Sequence, residues 1–285
     1  MIKLNRYVIY FLLMAFTLIP SIVLADNIQN PVDWKNNTVT VTGMGVPPDN
    51  ITNMAQAHIM ARRAAIIDGY RNLLEAIDGI NVESNTTVQN FAVTDDNVKT
   101  SVSGLIQGAR IINEQALPDG SYQVTMQLNL YGNNSVAAAV KDAITVSQQM
   151  PFPNPSSNCQ LPAPAQITPD TPYYTGIVID ARGLELSRVM APRIYDETGR
   201  IIYGNMYLDS DFIVKNGMVD YLQGDYTAAA AAGTSRAGSN PIIIKATALK
   251  NFNADIVISQ VDADMILSAN MQNNFLTKTA VVFEQ

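Results

Sequence analysis

The sequence is poor in the side chains on which most enzymes and metalloproteins depend. Its 285 residues include one cysteine, one histidine and one tryptophan. A single cysteine cannot close an intrachain disulfide, and one cysteine with one histidine cannot complete a zinc site. With 18 basic against 25 acidic residues, the net charge is −7, so the chain lacks the basic surface that nucleic acid or anionic lipid would attract. We predict no metal, no cofactor and no nucleic-acid partner.

Long apolar runs are also scarce, and the one that exists lies at the N-terminus. Lys3 and Arg6 precede an almost wholly apolar stretch over residues 7–24, which ends in small side chains. This pattern is typical of a secretory signal, and we predict cleavage between Ala25 and Asp26. A retained membrane anchor is the alternative, because the run is just long enough to span a bilayer. No later segment is as apolar, so we expect no integral membrane segment after cleavage.

Proline is concentrated in one place. Seven of the 14 prolines lie between Pro151 and Pro172, in a stretch typical of an extended, semi-rigid linker. The sequence therefore predicts four parts: a signal peptide at 1–25, an N-terminal domain at 32–149, the linker at 150–172 and a C-terminal domain at 173–285. Cys159 lies in the linker, as an incidental exposed thiol or as one half of an intermolecular disulfide.

The N-terminal part shows the pattern of a β-α-β-α-β-β module with a largely antiparallel sheet. A strand is predicted at 38–42, extended chain at 82–91, two strands at 109–117 and 122–131, and a helix at 135–148. Caps at Asp49, Asn50 or Thr52 open a long helix, and Asp95 or Asp96 opens a shorter one. The apolar spacing of the long helix predicts that it buries Met60, Ala64, Ile67, Tyr70, Leu74 and Ile77.

The C-terminal part also mixes helices and strands. It begins with a buried-type strand at 176–179, followed by a hairpin whose turn is Asp196-Glu197-Thr198-Gly199. Further strands are predicted at 242–249, 255–259 and 280–283, with a helix that starts at Asp262. The predicted fold class is therefore α+β, with two mixed modules joined by a proline-rich linker.

Residues 38–131 carry a set of small residues with regular spacing. The segments are Val41-x-Gly43-x-Gly45-x-Pro47-Pro48, Gln56-Ala57-x-x-Met60-Ala61-x-Arg63-Ala64-Ala65-x-x-Asp68, Ile77-x-Gly79-Ile80-x-Val82, Gly104-x-Ile106-x-Gly108-Ala109 and Asp119-Gly120-x-Tyr122-x-Val124. This region resembles the bacterial twenty-kilodalton lipoprotein family and the N-terminal domain of flagellar assembly protein T. The resemblance covers about a third of the chain. It implies a compact α+β domain of the bacterial envelope without catalytic residues. The sequence departs from the lipoprotein pattern because it lacks the acylated cysteine.

Each motif with possible chemistry has a structural explanation that we favour. Gly43-x-Gly45 precedes a helix, but prolines follow where a phosphate loop needs N–H donors, so we interpret it as a tight strand-to-helix turn. His58 sits within the long helix without a nucleophile motif nearby, and we expect no catalytic role. Three carboxylate pairs are explained by caps or turns and lack calcium-loop spacing: Asp95 with Asp96, Asp209 with Asp211, and Asp262 with Asp264.

The strongest candidate for ligand contact is a group of charges that follows the first strand of the C-terminal part. Asp180 and Arg182 leave the carboxyl end of an apolar strand, and Arg188 and Arg193 come soon after. Ligand groups often lie at such strand ends in α/β folds, and arginine binds carboxylate or phosphate in a bidentate manner. Our candidate contacts are Asp180, Arg182 and Arg193, while a surface ion-pair network is the alternative that we favour.

Together these observations predict a non-enzymatic protein of the bacterial cell envelope, located in the periplasm or the outer envelope. It would act as an interaction or assembly module of a surface or flagellar structure, with other envelope proteins as partners. The first alternative is a periplasmic binding protein for a small anionic or glycan ligand. The second is a hydrolase that relies on carboxylates, since such an enzyme needs no histidine.

Overall fold

The computed structural model describes residues 30–156, 173–224, 226–231 and 233–285. The predicted signal peptide, its cleavage site between Ala25 and Asp26, and Cys159 lie outside the described residues, as does most of the predicted linker. The described residues from Pro31 onward form one compact unit. The predicted α+β class is confirmed, whereas the division at residues 150–172 stays a prediction.

The N-terminal part is built on an antiparallel sheet of four strands in the order β1-β2-β6-β5. A short ribbon of β3 and β4 lies outside this sheet. The strands are β1 (Val32–Asp33), β2 (Thr38–Gly45), β3 (Asn81–Glu83), β4 (Thr86–Thr87), β5 (Arg110–Ala116) and β6 (Tyr122–Asn129). Alternate residues of β2 and β6 are buried, because one face of the sheet packs against helices and the other faces solvent.

Five helices accompany this sheet in the described residues. They are α1 (Met54–Asp78), α2 (Val88–Thr94), α3 (Asp96–Gln107), α4 (Val136–Ala139) and α5 (Lys141–Ile144). Asp95 caps α3, whose buried residues are Val98, Val102, Leu105 and Ile106. Three predictions were wrong here: Asn53 caps α1, the predicted extended chain at 82–91 becomes helical from Val88, and the predicted helix at 135–148 is two short helices that end at Ile144.

The face that α1 turns to the sheet also differs from the prediction. The helix buries Ala61, Ala65, Gly69, Leu73 and Ile77, a row of mostly small residues spaced by four. A Cβ added to Gly43 would lie 2.3 Å from the Ala65 carbonyl oxygen, so the helix and β2 approach at backbone distance. The two glycines of β2 therefore serve close helix–strand packing and not the predicted strand-to-helix turn.

The C-terminal part contains two four-stranded sheets. In the first, of order β10-β14-β7-β11, all neighbours run parallel. The second has the order β12-β13-β8-β9, and only β13 and β8 are parallel in it. The strands are β7 (Gly176–Asp180), β8 (Ile194–Asp196), β9 (Ile201–Tyr203), β10 (Asp220–Leu222), β11 (Pro241–Lys245), β12 (Ala248–Lys250), β13 (Asp255–Ile258) and β14 (Val281–Glu284).

The helices of this part are α6 (Ser210–Asn216), α7 (Tyr226–Ala231) and α8 (Gln260–Asn273), with a 3-10 turn at Asn205–Tyr207. The sequence patterns did not predict α6 or β10. Ser259, and not Asp262, caps α8. The predicted hairpin at Asp196 is confirmed, with Gly199 at a φ of 89°.

Main-chain hydrogen bonds join the two parts directly. Met190 N donates to Asn81 O at 3.0 Å and Ala191 N to Val82 O at 2.9 Å, which extends the β3–β4 ribbon. Buried residues of both parts belong to one continuous apolar cluster. The contact between the parts is therefore a packed interior.

Candidate interaction site

The structure brings two of the three predicted ligand-contact residues together. Arg182 binds Asp180 with two hydrogen bonds, from Nε to Oδ1 and from Nη2 to Oδ2, both 2.9 Å long. The Arg182 guanidinium holds the pKa of Asp180 at about 2, well below its ordinary value. A third contact runs from Arg182 Nη1 to Glu284 Oε1 at 3.6 Å, so both carboxylates at the ends of β7 and β14 face the same guanidinium.

The other two arginines of the predicted group have different surroundings. Arg188 lies against the side-chain amide of Gln285, at the same end of β14. Arg193 turns to the N-terminal part, where its Nη2 lies 3.0 Å from Glu83 Oε1 in β3. Its backbone N–H donates to Asp255 Oδ1 at 2.8 Å. Arg193 thus joins the two parts of the chain, and a shared ligand for Arg182 and Arg193 stays a prediction.

A second charge cluster surrounds Arg200 and was not predicted. The guanidinium binds Asp196 Oδ2 at 2.8 Å and Asp264 Oδ1 at 2.7 Å, and the two carboxylates are 0% and 3% exposed. It also donates to Asn154 O and Ser156 Oγ, which attaches the chain just before residue 157 to the C-terminal part. Burial alone would raise the pKa of Asp196, but hydrogen bonds from Thr198 and Arg200 outweigh it and hold that pKa below its ordinary value.

A cleft of about 560 Å³ lies where the β1–β2 turn meets the C-terminal part. This volume falls in the range of ligand-binding pockets. The lining residues are Trp34, Lys35, Asn36, Asp220, Tyr221, Leu222, Gln223, Ala228, Ala229, Thr234, Ser235, Arg236 and Val282. The cleft was missed because its walls come from segments about 190 residues apart, and no local pattern connects them.

The polar groups of the cleft are held in place by hydrogen bonds. Arg236 pairs with Asp220 at 2.9 Å, and its Nη2 donates to Asn216 O at 2.6 Å. Trp34 packs edge-on against Tyr221, with ring centroids 5.5 Å apart. On the other side of the turn, Asp33 accepts from the backbone N–H groups of Lys35 and Asn36. Contacts within the fold therefore position Arg236, Asp220 and Trp34 in the cleft.

The outer edge of the N-terminal sheet is a further open surface. All seven residues of β5 are exposed, including Ile111 at 37% and Ile112 at 44%. The solvent face of α1 carries some apolar side chains among its polar ones, since Met60, Ile67 and Leu74, three residues predicted to be core, are 38%, 69% and 41% exposed. This combination of an open strand and exposed apolar side chains is typical of a surface that binds protein.

The remaining chemical candidates have structural surroundings. His58 lies edge-on to Tyr122, with ring centroids 5.0 Å apart. Asp95 and Asp209 accept hydrogen bonds at helix starts, and Asp211 pairs with Lys141 at 2.6 Å. Among the described residues, no three His, Cys, Asp or Glu side chains are grouped so that they could hold a metal ion. No helix in that part of the chain has the length and hydropathy needed to cross a membrane.

Comparison with known families matches both parts of the chain separately. Residues 176–283 match the family described as Treponema pallidum Tp0624, second domain. A search of curated proteins found no match. Residues 33–129 match the LPP20 lipoprotein family, so the resemblance to the twenty-kilodalton lipoprotein family predicted from residues 38–131 is confirmed.

Proposed function

We propose that the protein is an exported, non-enzymatic component of the bacterial cell envelope. It acts as an interaction or assembly module of a surface or flagellar structure, and it binds another envelope protein along β5. The match of residues 33–129 to a lipoprotein family supports an envelope location, as does the signal-like N-terminus. The observation that carries the binding proposal is the open edge strand β5, exposed at all seven residues.

The hydrogen-bonding pattern of β5 identifies which backbone groups face the open edge. Leu117 N donates to Ser121 O at 2.8 Å, which makes these two residues a hydrogen-bonded pair. Bonded and non-bonded pairs alternate along an antiparallel ladder, and Gln115 pairs with Gln123. Glu114 and Ala116 therefore direct their N–H and C=O groups away from β6, where a strand from a partner can bind them.

The edge has one of the usual protections against strand addition, a β-bulge between Ile111 and Asn113, and from Asn113 to Ala116 its pairing with β6 is regular. It is seven residues long and contains no proline. Of its charged residues, Glu114 is bound by Arg62 of α1 at 2.8 Å, which turns that carboxylate toward the sheet's own helix. An incoming strand therefore meets two exposed isoleucines, Ile111 and Ile112, beside free main-chain groups.

Proline at an outward position tests the proposal. Ala116→Pro removes one outward N–H donor and leaves the bonded pair of Gln115 with Gln123 intact, while Ala116→Gly keeps the donor. A photo-crosslinking phenylalanine at Ile112 should form one discrete adduct with another envelope protein in intact cells. We expect Ala116→Pro to abolish this adduct and Ala116→Gly to retain it.

The control position is Val93, which is 80% exposed and lies in α2, outside the sheet that contains β5. An equally strong adduct from Val93, or an adduct from Ile112 that survives Ala116→Pro, would contradict strand addition. Export is tested separately, because mass spectrometry of the periplasmic chain should find its N-terminus at Asp26. An intact Met1 on a membrane-embedded chain would contradict the export proposal.

A further inference from the structure

The cleft beside Trp34 lies along a second free strand edge, that of β10. Leu222 O accepts from Gln285 N at 2.9 Å, and in a parallel pair the bonded residues alternate. Asp220 and Leu222 are thus the residues bonded to β14, and Tyr221 between them directs its N–H and C=O groups away from β14. The hydrogen bonds on the other side of β14 fit the same alternation, because Glu284 O faces β7 and accepts from Ala181 N.

The cleft encloses this edge from both faces of the sheet. Leu222 and Val282 pack on the face that α7 covers. Tyr221 packs on the opposite face, against Trp34 and Phe283. Since all of these except Phe283 line the cleft, it surrounds the edge of β10 rather than lying on one face of the sheet.

The N–H and C=O groups of Tyr221 have no backbone partner at this edge among the described residues. Within the described residues, β10 pairs only with β14, and no hydrogen bond joins the Tyr221 N–H or C=O to another backbone group beyond that ladder. Buried backbone groups are nearly always paired with protein, ligand or water. Tyr221 is only 5% exposed, and it lines the cleft along the open side of β10.

We propose that the cleft binds an extended polypeptide segment, which adds to β10 as a strand through the main-chain groups of Tyr221. Among the lining residues Arg236 pairs with Asp220, which leaves Lys35, beside Asp33, as the cation that an acidic side chain of the peptide can approach. Trp34, at 8% exposure, offers too little ring surface for a sugar to stack on it. This site goes beyond the proposed function, because β10 and β5 belong to different sheets.

The sole tryptophan of the chain provides the readout for this cleft. Random heptapeptides displayed on phage are selected on the mature chain, and a selected sequence is synthesised with blocked ends. Titration of this peptide should shift the fluorescence of Trp34 in a saturable manner. Hydrogen exchange should show new protection of the Tyr221 amide, which binding elsewhere on the surface would not produce.

Matched variants locate the binding. Ala229→Phe fills the cleft and should weaken binding by at least about tenfold, whereas Ala55→Phe, at an exposed alanine of α1, should not change it. Lys35→Glu, in an exposed turn, should weaken the binding of an acidic peptide without altering the fold. Ala116→Pro in β5 should leave this binding unchanged, so failure here is distinguishable from failure of the β5 proposal.

Three results would overturn the inference. The first is the absence of any selected peptide that perturbs Trp34 emission. The second is a peptide that shifts the emission but leaves the Tyr221 amide unprotected. The third is a response of Trp34 to chitotetraose or to inorganic phosphate that Ala229→Phe abolishes, which would make the cleft a glycan or anion site.

Discussion

The two parts of the chain hold their interiors together by different means. In residues 33–129 the close approach of α1 to β2 depends on small side chains, and Ser121 is the one buried polar residue among those described. In residues 176–285 four carboxylates are buried, those of Asp196, Asp255, Asp264 and Glu284. The N-terminal part is therefore stabilised mainly by the close packing of small side chains, and the C-terminal part also by the neutralisation of buried charges.

Sheet type explains much of this contrast. The antiparallel strands β2 and β6 alternate between buried and more exposed residues, because only one face of their sheet is covered. The strands β13 and β14 are buried along their whole length. Polar groups that flank such strands have no solvent face to occupy, so they need partners inside the protein.

The largest effect is expected from the arginine that serves two buried carboxylates. Arg200→Met leaves Asp196 and Asp264 without their counter-charge, and removal of one partner from a buried pair costs about 3–5 kcal/mol. Arg62→Met breaks the exposed pair with Glu114 and should cost about 0–1 kcal/mol. Urea unfolding of both variants measures the difference. Equal losses would show that buried charge does not distinguish the two parts.

A smaller but still large effect is expected from a single methyl group in β2. Gly43→Ala places a Cβ 2.3 Å from the Ala65 carbonyl oxygen, so backbone must shift, at a cost of about 1–3 kcal/mol. Gly104→Ala in α3 meets nothing within 4 Å and should stabilise the helix by about 0.5–1 kcal/mol. The melting temperatures of the two variants should therefore shift in opposite directions. A lower melting temperature in both would refute the role of small side chains in this packing.

A pH series tests the charge at the end of β7. Because the folded pKa of Asp180 is about 2 against an ordinary 3.8, its ionised form stabilises the fold above pH 3.8. That contribution should disappear as the pH falls toward 2. The difference in free energy of unfolding between wild type and Asp180→Asn should be constant at neutral pH and shrink in this window. A difference that persists unchanged at pH 2 would rule out the ion pair as its source.

The smallest effect concerns two turns. The hairpin between β5 and β6 uses Gly120 at a φ of 83°, whereas the turn between β12 and β13 holds Asn251, Phe252 and Asn253 at 50°, 56° and 64°. This left-handed conformation costs phenylalanine more free energy than asparagine, and Phe252 is 77% exposed. Phe252→Asn should therefore raise stability by about 1 kcal/mol. Gly120→Ala should lower it by a similar amount, and a loss in both turns would mean that Phe252 contributes packing.

The strands were predictable where a local period exists. Alternation in Tyr122, Val124 and Met126 identified β6, and the turn at Gly120 fixed its partner. The helix α1 and the burial of Ile77 were predicted, but the rest of its fully buried face was not, because the pattern assigns large apolar residues such as Ile67 to the core. The actual face depends on how closely two backbones approach, which is a property of Gly43 and Ala65 together.

The candidate sites also divide into those with a local sequence pattern and those that only the fold brings together. The pair of Asp180 and Arg182 was predictable, since both follow the end of one strand. The charged residues of the Arg200 cluster lie up to 68 positions apart in sequence, from Asp196 to Asp264, and the neutralisation of their charges is visible only in the folded chain. The cleft was missed for a similar reason, because β10 has only three residues and the lone Trp34 gave no indication of where its ring packs.

The position of β14 has a mechanical consequence. This strand lies between β7 and β10 and runs parallel to both. A force applied along its axis therefore loads the hydrogen bonds on its two sides in shear, so that they resist together rather than opening one after another. A part of the chain with such a strand at its centre can transmit tension before it unfolds.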